Sequence, residues 1–243
     1  MLTLFLNPET LVIGKSMANR PVYLPCTQGQ ALLTTVNVEF KWIAGMAVSQ
    51  KQKSIRSLHA AAAERNITKI LEISSKSENI LGVKLSAFNL PFVTPNGIKT
   101  TVENVFQASK VFQNGGPYLD LMEKSPKEAK IDPRLKSSGD LLEFCLEAEK
   151  WPTRPLTVFY DWLYLKALQQ SPLLAEQLVA FEGFTDIEFN PERSLNCQAA
   201  SAALFVALTK RGELEAATLN RYDFIQRISA STVISRPIQS SLW

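Results

Sequence analysis

The sequence predicts an α+β fold: a mostly helical single-domain core with a few short strands and an N-terminal extension. Three observations carry this. Helix-forming stretches rich in Ala, Leu, Glu and Lys dominate the second half of the chain. Short β-prone runs gather in its first 75 residues. Strand and helix do not alternate in a βαβ rhythm, so a parallel doubly wound sheet is not expected. The extension, residues 1–66, is expected to pack on a core made by residues 67–243.

The elements follow in order. LTLFL, PVYL and VNVEFKW read as extended pieces between Pro, Gly and Asn. SQKQKSIRSLHAAAAERN reads as a helix, with Ser49 as its cap and Asn66 as its end. ITKILEIS alternates as a strand. After a loop at Gly82, LSAFNLPFVTPNG is extended around a turn at Pro95-Asn96-Gly97. Thr100 or Thr101 starts a helix through Phe112, stopped by Asn114-Gly115-Gly116-Pro117. A helix over 117–130 contains a second start at Ser125-Pro126-Lys127-Glu128. DPRLKSSGD is a loop. LLEFCLEAEKW reads as a helix ending at Trp151-Pro152. Residues 155–170 and 172–181 are two more helices. GFTDIEFNPERS is irregular, and LNCQAASAALFVALTKRG is a helix closed by Gly212. The tail holds a short helix and then a β-prone SASTVIS.

Composition narrows the function. The 243 residues are 46% hydrophobic and 20% charged, ordinary for a globular chain. With 26 basic and 23 acidic side chains, the net charge of +3 does not announce a nucleic-acid binder, although a local patch is compatible with it. Cys26, Cys145 and Cys197 are scattered and form no CxxC, which argues against a disulfide framework and for a reducing compartment. His59 is the sole histidine; with three dispersed cysteines it makes no common zinc site. The N-terminus lacks a basic leader region and carries Pro8, unlike a signal peptide. No run approaches the ~18 apolar residues of a membrane span. A cytoplasmic, soluble protein without metal or cofactor is expected.

Four groups of residues could carry chemistry. On a helix, Glu103, Gln107 and Lys110 fall at i, i+4 and i+7 and share one face; a solvated polar stripe satisfies the same pattern. Asp186 and Glu188 sit between Phe184 and Phe189, where an acid among apolar groups can hold a raised pKa; a turn that uses Asp186 for local hydrogen bonds fits equally. Trp151 suits either core packing or stacking on a base. Lys51, Lys53 and Arg56, with Lys41 and Trp42 upstream, read as a solvated helix start or as a grip on phosphates.

The sequence resembles the NADAR (YbiA-like) family of N-glycosidases. Leu85-Ser86-Ala87-Phe88 is similar to the family's Leu-Ser-Asn-Phe motif. After Gly97, Thr101-Val102-Glu103-Asn104-Val105-Phe106-Gln107-Ala108-Ser109-Lys110 matches the family's helix start, the most specific piece. Ser125-Pro126-Lys127-Glu128-Ala129-Lys130 follows, then Trp151 ahead of Lys166-Ala167-Leu168-Gln169, then Asp186 and Asn196 before a helix. The resemblance covers about Ile70 to Thr209. Ala87 replaces the family asparagine, Ile187-Glu188-Phe189 replaces a Trp-Gly, and Pro191–Leu195 replaces a glycine-rich approach. These departures look most like the NADAR antitoxins paired with DarT toxins.

The resemblance implies an ADP-ribosyl hydrolase that cleaves the bond between ADP-ribose and guanine in DNA, an antitoxin reversing a DarT-type DNA ADP-ribosyltransferase. It implies catalytic roles for Glu103 in proton transfer, Asp186 in charge stabilisation or water activation, and Trp151 in shaping the pocket, with Lys110 as a rival nucleophile or phosphate ligand. Substrate contacts are expected at Lys84, Ser86, Phe88, Gln107, Glu188 and Asn196, and the basic N-terminal run is expected to give nucleic-acid contacts at Lys51, Lys53 and Arg56. The partners implied are ADP-ribosylated DNA and a DarT-type toxin, with no membrane, metal or cofactor. Two other readings stand beside it: a binding antitoxin without catalysis, and a hydrolase of phosphorylated riboflavin-pathway intermediates.

Overall fold

A computed structural model describes residues 16–190, 196–231 and 234–236. The predicted LTLFL strand and the Pro191–Leu195 segment lie outside the described residues. The chain opens with β1 (Met17–Pro25) and β2 (Leu33–Lys41), an antiparallel hairpin in register from Met17↔Lys41 to Pro25↔Leu33. Alternation buries Val22, Val38 and Phe40 on one face. That face packs on α1 (Val48–Ala63) through Ile55, Leu58 and Ala62. The Ser49 cap is not formed, because the helix begins at Val48 and Ala47 holds the cap position. Asn66 does end the segment, with a left-handed φ of 63°.

Next come β3 (Ile70–Glu72), α2 (Ile80–Lys84), β4 (Pro91–Val93), β5 (Lys99–Thr101), α3 (Val102–Ala108) and β6 (Lys110–Phe112). Gly82 lies inside α2 and not in a loop. A Cβ there would sit 1.9 Å from the Glu72 carbonyl oxygen, so only glycine allows α2 to abut β3. The helix expected over 100–112 is only seven residues long. Beyond Ala108 the backbone is claimed by other partners: Tyr118 N donates to Ala108 O at 2.9 Å and Cys145 N to Ser109 O at 2.7 Å. Lys110 therefore opens a strand.

A 3-10 turn (Leu119–Glu123) leads to α4 (Pro126–Ile131) and α5 (Arg134–Ser137). The start at Ser125 is a full capping box with Glu128. The short α5 lies within the expected loop. The stretch read as a helix before Trp151 is instead a hairpin, β7 (Leu141–Leu146) and β8 (Glu149–Trp151), with Glu147 at φ 55° in its turn. Leu, Glu and Ala favour helix by only a few tenths of a kcal/mol each. Pairing of β7 with β6, with Phe144 and Leu146 buried, overrides that preference.

The remainder is α6 (Val158–Gln169), α7 (Pro172–Leu178), β9 (Gly183–Thr185), α8 (Gln198–Lys210), α9 (Leu214–Ala217), α10 (Arg221–Ser229) and β10 (Ile234–Arg236). The segment expected to be irregular thus contributes β9, which stands inside the main sheet. That sheet has the order β10-β2-β1-β9-β3; β9 is antiparallel to β1 and parallel to β3. Three residues are too few to show alternation in sequence. The core lies between this sheet and α3, α6 and α8, whose small residues Ala199, Ala202 and Ala203 are buried. Among the described residues no helix is long and apolar enough to cross a membrane.

Candidate active site

The first wall of the site is α3, all seven residues of which are buried. Its free N–H groups are satisfied by the preceding turn: Val102 N donates to Leu90 O at 3.1 Å and Glu103 N to Ala87 O at 3.0 Å. Asn104 anchors the helix from behind by donating to the carbonyls of Leu121 and Lys124, each at 2.7 Å. Glu103 is thereby held in a fixed rotamer environment, 5% exposed. Gln107 Nε2 donates to Glu103 Oε1 at 2.9 Å, and Lys110 Nζ donates to Gln107 Oε1 at 2.7 Å. The orientation of the Gln107 amide follows: its oxygen takes the ammonium, so its nitrogen faces the acid and fixes Glu103 Oε1 as an acceptor. Burial lowers the Lys110 pKa to about 8, against the pull of Glu103. Lys130 Nζ approaches Glu103 Oε1 to 3.9 Å and lies over the Phe88 ring.

The opposite wall follows β9. Asp186 Oδ1 accepts from Glu188 N at 3.0 Å, and Gln198 also hydrogen-bonds this carboxyl. Gln198 is itself fixed, donating to Ile73 O at 2.7 Å and accepting from Ala87 N at 2.8 Å. The Asp186 carboxyl is pushed well above the usual carboxylate range, first by burial and then by the Glu72 carboxyl beneath it. Glu72 is also raised by its burial. Burial holds His59 down, to about 4, so this ring is neutral.

Between the walls is a cavity of about 320 Å³, within the range of small-molecule sites. Glu103, Phe106 and Gln107 line one side; Asp186, Glu188 and Phe189 line the other. Ser86 and Phe88 come from the turn after α2, Lys130 from α4, Tyr160 from α6, and Asn196 and Gln198 from the start of α8. Burial raises the Tyr160 pKa, and both Glu103 and Asp186 add to the rise, so this phenol stays protonated in the field of both acids. Asn196 Oδ1 is buried without a hydrogen-bond partner among the described residues, an acceptor left over at the cavity. No group of three or more His, Cys, Asp and Glu side chains among the described residues is arranged to hold a metal ion.

Seven of the residues singled out in sequence therefore meet at one cavity: Glu103, Gln107, Asp186, Glu188, Ser86, Phe88 and Asn196. Lys110 stands behind Gln107 and is not part of the lining. Trp151 is not in the cavity either. It is 1% exposed, packed on Phe159 and Trp162, and edges a separate cavity with Arg154, Arg221 and Tyr222. The reason is the β7–β8 hairpin, whose register against Phe144 turns the indole into the core. It reaches the site through Phe159, which stacks on Phe106, and through its strand partner Phe144, whose ring lies 5.3 Å from that of Phe106. Lys84 is exposed at the end of α2, whose buried side is Leu81 and Gly82, and it does not line the cavity. Of the basic run, Lys51 pairs with Glu188 at 3.2 Å and lies over Trp42, Arg56 pairs with Glu78, and Lys53 is exposed.

Sequence reasoning missed Tyr160, Phe106, Gln198, Lys130 and Glu72. For Glu72 a signal existed: an acid inside an otherwise apolar strand. Tyr160 looked like one more aromatic on an apolar helix, and no local pattern sets it apart.

The sequence model of the DarT1-associated NADAR antitoxin family matches residues 18–236, from β1 to the end of β10. The motif around Glu103 resembles the same family. A search of curated proteins finds no match.

Proposed function

The chain belongs to the DarT1-associated NADAR antitoxin family, and on that premise we propose that it hydrolyses the N-glycosidic bond between ADP-ribose and guanine in DNA, reversing the product of a DarT-type toxin. The observation that supports this best is the pair of carboxyl groups on one cavity, Glu103 from α3 and Asp186 beyond β9, with unlike surroundings. Glycosidic cleavage through an oxocarbenium-like ribose uses such a pair, one as acid and one as base.

The surroundings divide the roles. Asp186, kept protonated by burial and by Glu72, protonates the guanine nitrogen as the C1″–N bond breaks. Glu103, already an acceptor toward Gln107, takes a proton from the water that bonds to C1″. One water is consumed: its hydroxyl stays on C1″, the proton taken by Glu103 returns to Asp186 through solvent, ADP-ribose leaves, and the guanine remains in the DNA unmodified. Phe88, Phe106, Tyr160 and Phe189 offer aromatic surface to the base and sugar. Lys130, more than half exposed at the mouth, supplies positive charge for a phosphate. Lys110 is held by Gln107 and serves to orient it; the nucleophile is water. The route calls for no metal or cofactor.

The test is incubation of the protein with guanine-ADP-ribosylated DNA and mass spectrometry of the products. Free ADP-ribose and restored guanine are expected. Intact modification with folded protein refutes the proposal. Toxin neutralisation without release of ADP-ribose would favour the binding antitoxin, and cleavage confined to phosphorylated riboflavin-pathway intermediates would favour the third reading.

A further inference from the structure

We propose that Glu72 is a positioning residue that holds Asp186 at the cavity and keeps it in the proton-donating form; this rests on the hydrolase reading above. Glu72 ends β3 and pairs with Thr185 in parallel register. Its Oε2 accepts from Thr185 Oγ1 at 2.7 Å, and its Oε1 accepts from Ile187 N at 2.8 Å. One carboxyl thus grips both chain neighbours of Asp186. The hydroxyl proton of Thr185 is spent on Glu72, so its oxygen accepts from His59 Nε2 at 2.8 Å, which places the ring proton on Nε2. Glu72 is 2% exposed and forms no ion pair among the described residues. An apolar residue would close the strand as well; a buried acid without a cation needs another explanation.

Among the described residues, the groups facing the pair are neutral or acidic. From α1 comes His59, from β1 Tyr23, from α6 the neutral phenols Tyr160 and Tyr164, from the cap of α8 Cys197 and from its first turn Gln198; Ser74 follows β3 and Glu188 follows Asp186. The thiol of Cys197 and the phenol of Tyr23 are both raised by burial and so carry no charge. Among the described residues, the cation paired with this loop, Lys51, is committed to Glu188. Two carboxyls that share such a site keep a proton between them, and their loss of it belongs to the pair. Placing one of them on the cavity turns that retained proton into a reagent.

The variant to make is Glu72→Gln. Its Oε1 can still accept from Ile187 N, and its Nε2 can donate to Thr185, which then donates to His59 in the other tautomer. The grip survives and the charge does not. Two readouts are taken: the pH profile of kcat/KM on guanine-ADP-ribosylated DNA, and the titration of the Asp186 carboxyl by carbon-13 NMR. Both the alkaline limb and the Asp186 midpoint are expected to move down by about one pH unit, with the melting temperature little changed. Glu72→Ala, which loses the grip as well, is expected to lose activity at every pH, and the glutamine variant to restore it on the acid side. An unmoved midpoint in Glu72→Gln overturns the proposal. So does a wild-type Asp186 that titrates in the ordinary carboxylate range, a result that needs no variant to fold. If the midpoint falls but neither protein releases ADP-ribose, Glu72 keeps its role and the hydrolase reading fails.

Discussion

Asp161 ties together the two helices that carry Tyr160 and Gln198, and its replacement by asparagine gives a stability change of calculable size. Its Oδ2 accepts from Thr157 Oγ1 at 2.7 Å and its Oδ1 from Ser201 Oγ at 2.6 Å, joining α6 to α8. The side chain is buried, and burial raises its pKa from 3.8 to about 6 despite the two hydroxyls. Folding therefore binds this proton more tightly. The resulting stability is complete below the unfolded pKa and is lost as pH rises through the folded one. At about 1.4 kcal/mol per unit, the whole loss is about 3 kcal/mol, of which roughly half falls between about pH 5 and pH 8. Asp161→Asn keeps the shape and cannot ionise. Its unfolding free energy, from urea titrations at constant ionic strength, should gain about 1.5 kcal/mol on the wild type between those two pH values. A difference that stays flat with pH would show that Asp161 is not held neutral by the fold, and the burial argument would fail with it.

Glu103→Gln should lower the rate of ADP-ribose release by about 10²–10⁴-fold with folding intact; a loss under about threefold would remove Glu103 from the chemistry. Trp151→Ala should act on stability and not on the reaction, costing about 3–5 kcal/mol in chemical denaturation, while Trp151→Phe keeps most of the activity; a large fall in kcat in a stable Trp151→Phe would return the indole to the site. Borohydride added during turnover should trap no adduct on Lys110, since Gln107 holds its ammonium away from the lining; a labelled Lys110 peptide would restore the covalent route. Lys53→Ala should reduce the salt dependence of DNA binding by about one unit of slope if this exposed lysine meets a phosphate; an unchanged slope moves the DNA contact to Lys130 and α4.

Glu103 and Gln107 were legible because a four-residue separation brings them together on any helix, even one of seven residues. Lys110 joined them by a route the periodicity did not describe, as the first residue of β6 reaching back to Gln107. Asn66, the Ser125 capping box and the extended state of β1 and β2 were legible for the same local reason: caps, turns and alternation are set by adjacent residues; the pairing of β1 with β2 was not among them. The β7–β8 hairpin was not, because its helix-favouring letters are outweighed by a ladder to β6, thirty residues earlier in the chain.

The amino-acid order by itself determined the α+β class, the family and which acids were candidates, since these depend on composition, short-range spacing and a motif of ten residues. Only the tertiary structure decided that Asp186 faces Glu103, that Trp151 does not, and that Glu72 lies beneath. The register of β9 against β3, joining residues more than a hundred positions apart, brings Glu72 to Asp186, and the β7–β8 register turns Trp151 away. The upward shift of the Asp186 pKa depends on the β9 register too, because a carboxyl's charge is set by burial and by the groups beside it, not by its neighbours in the chain.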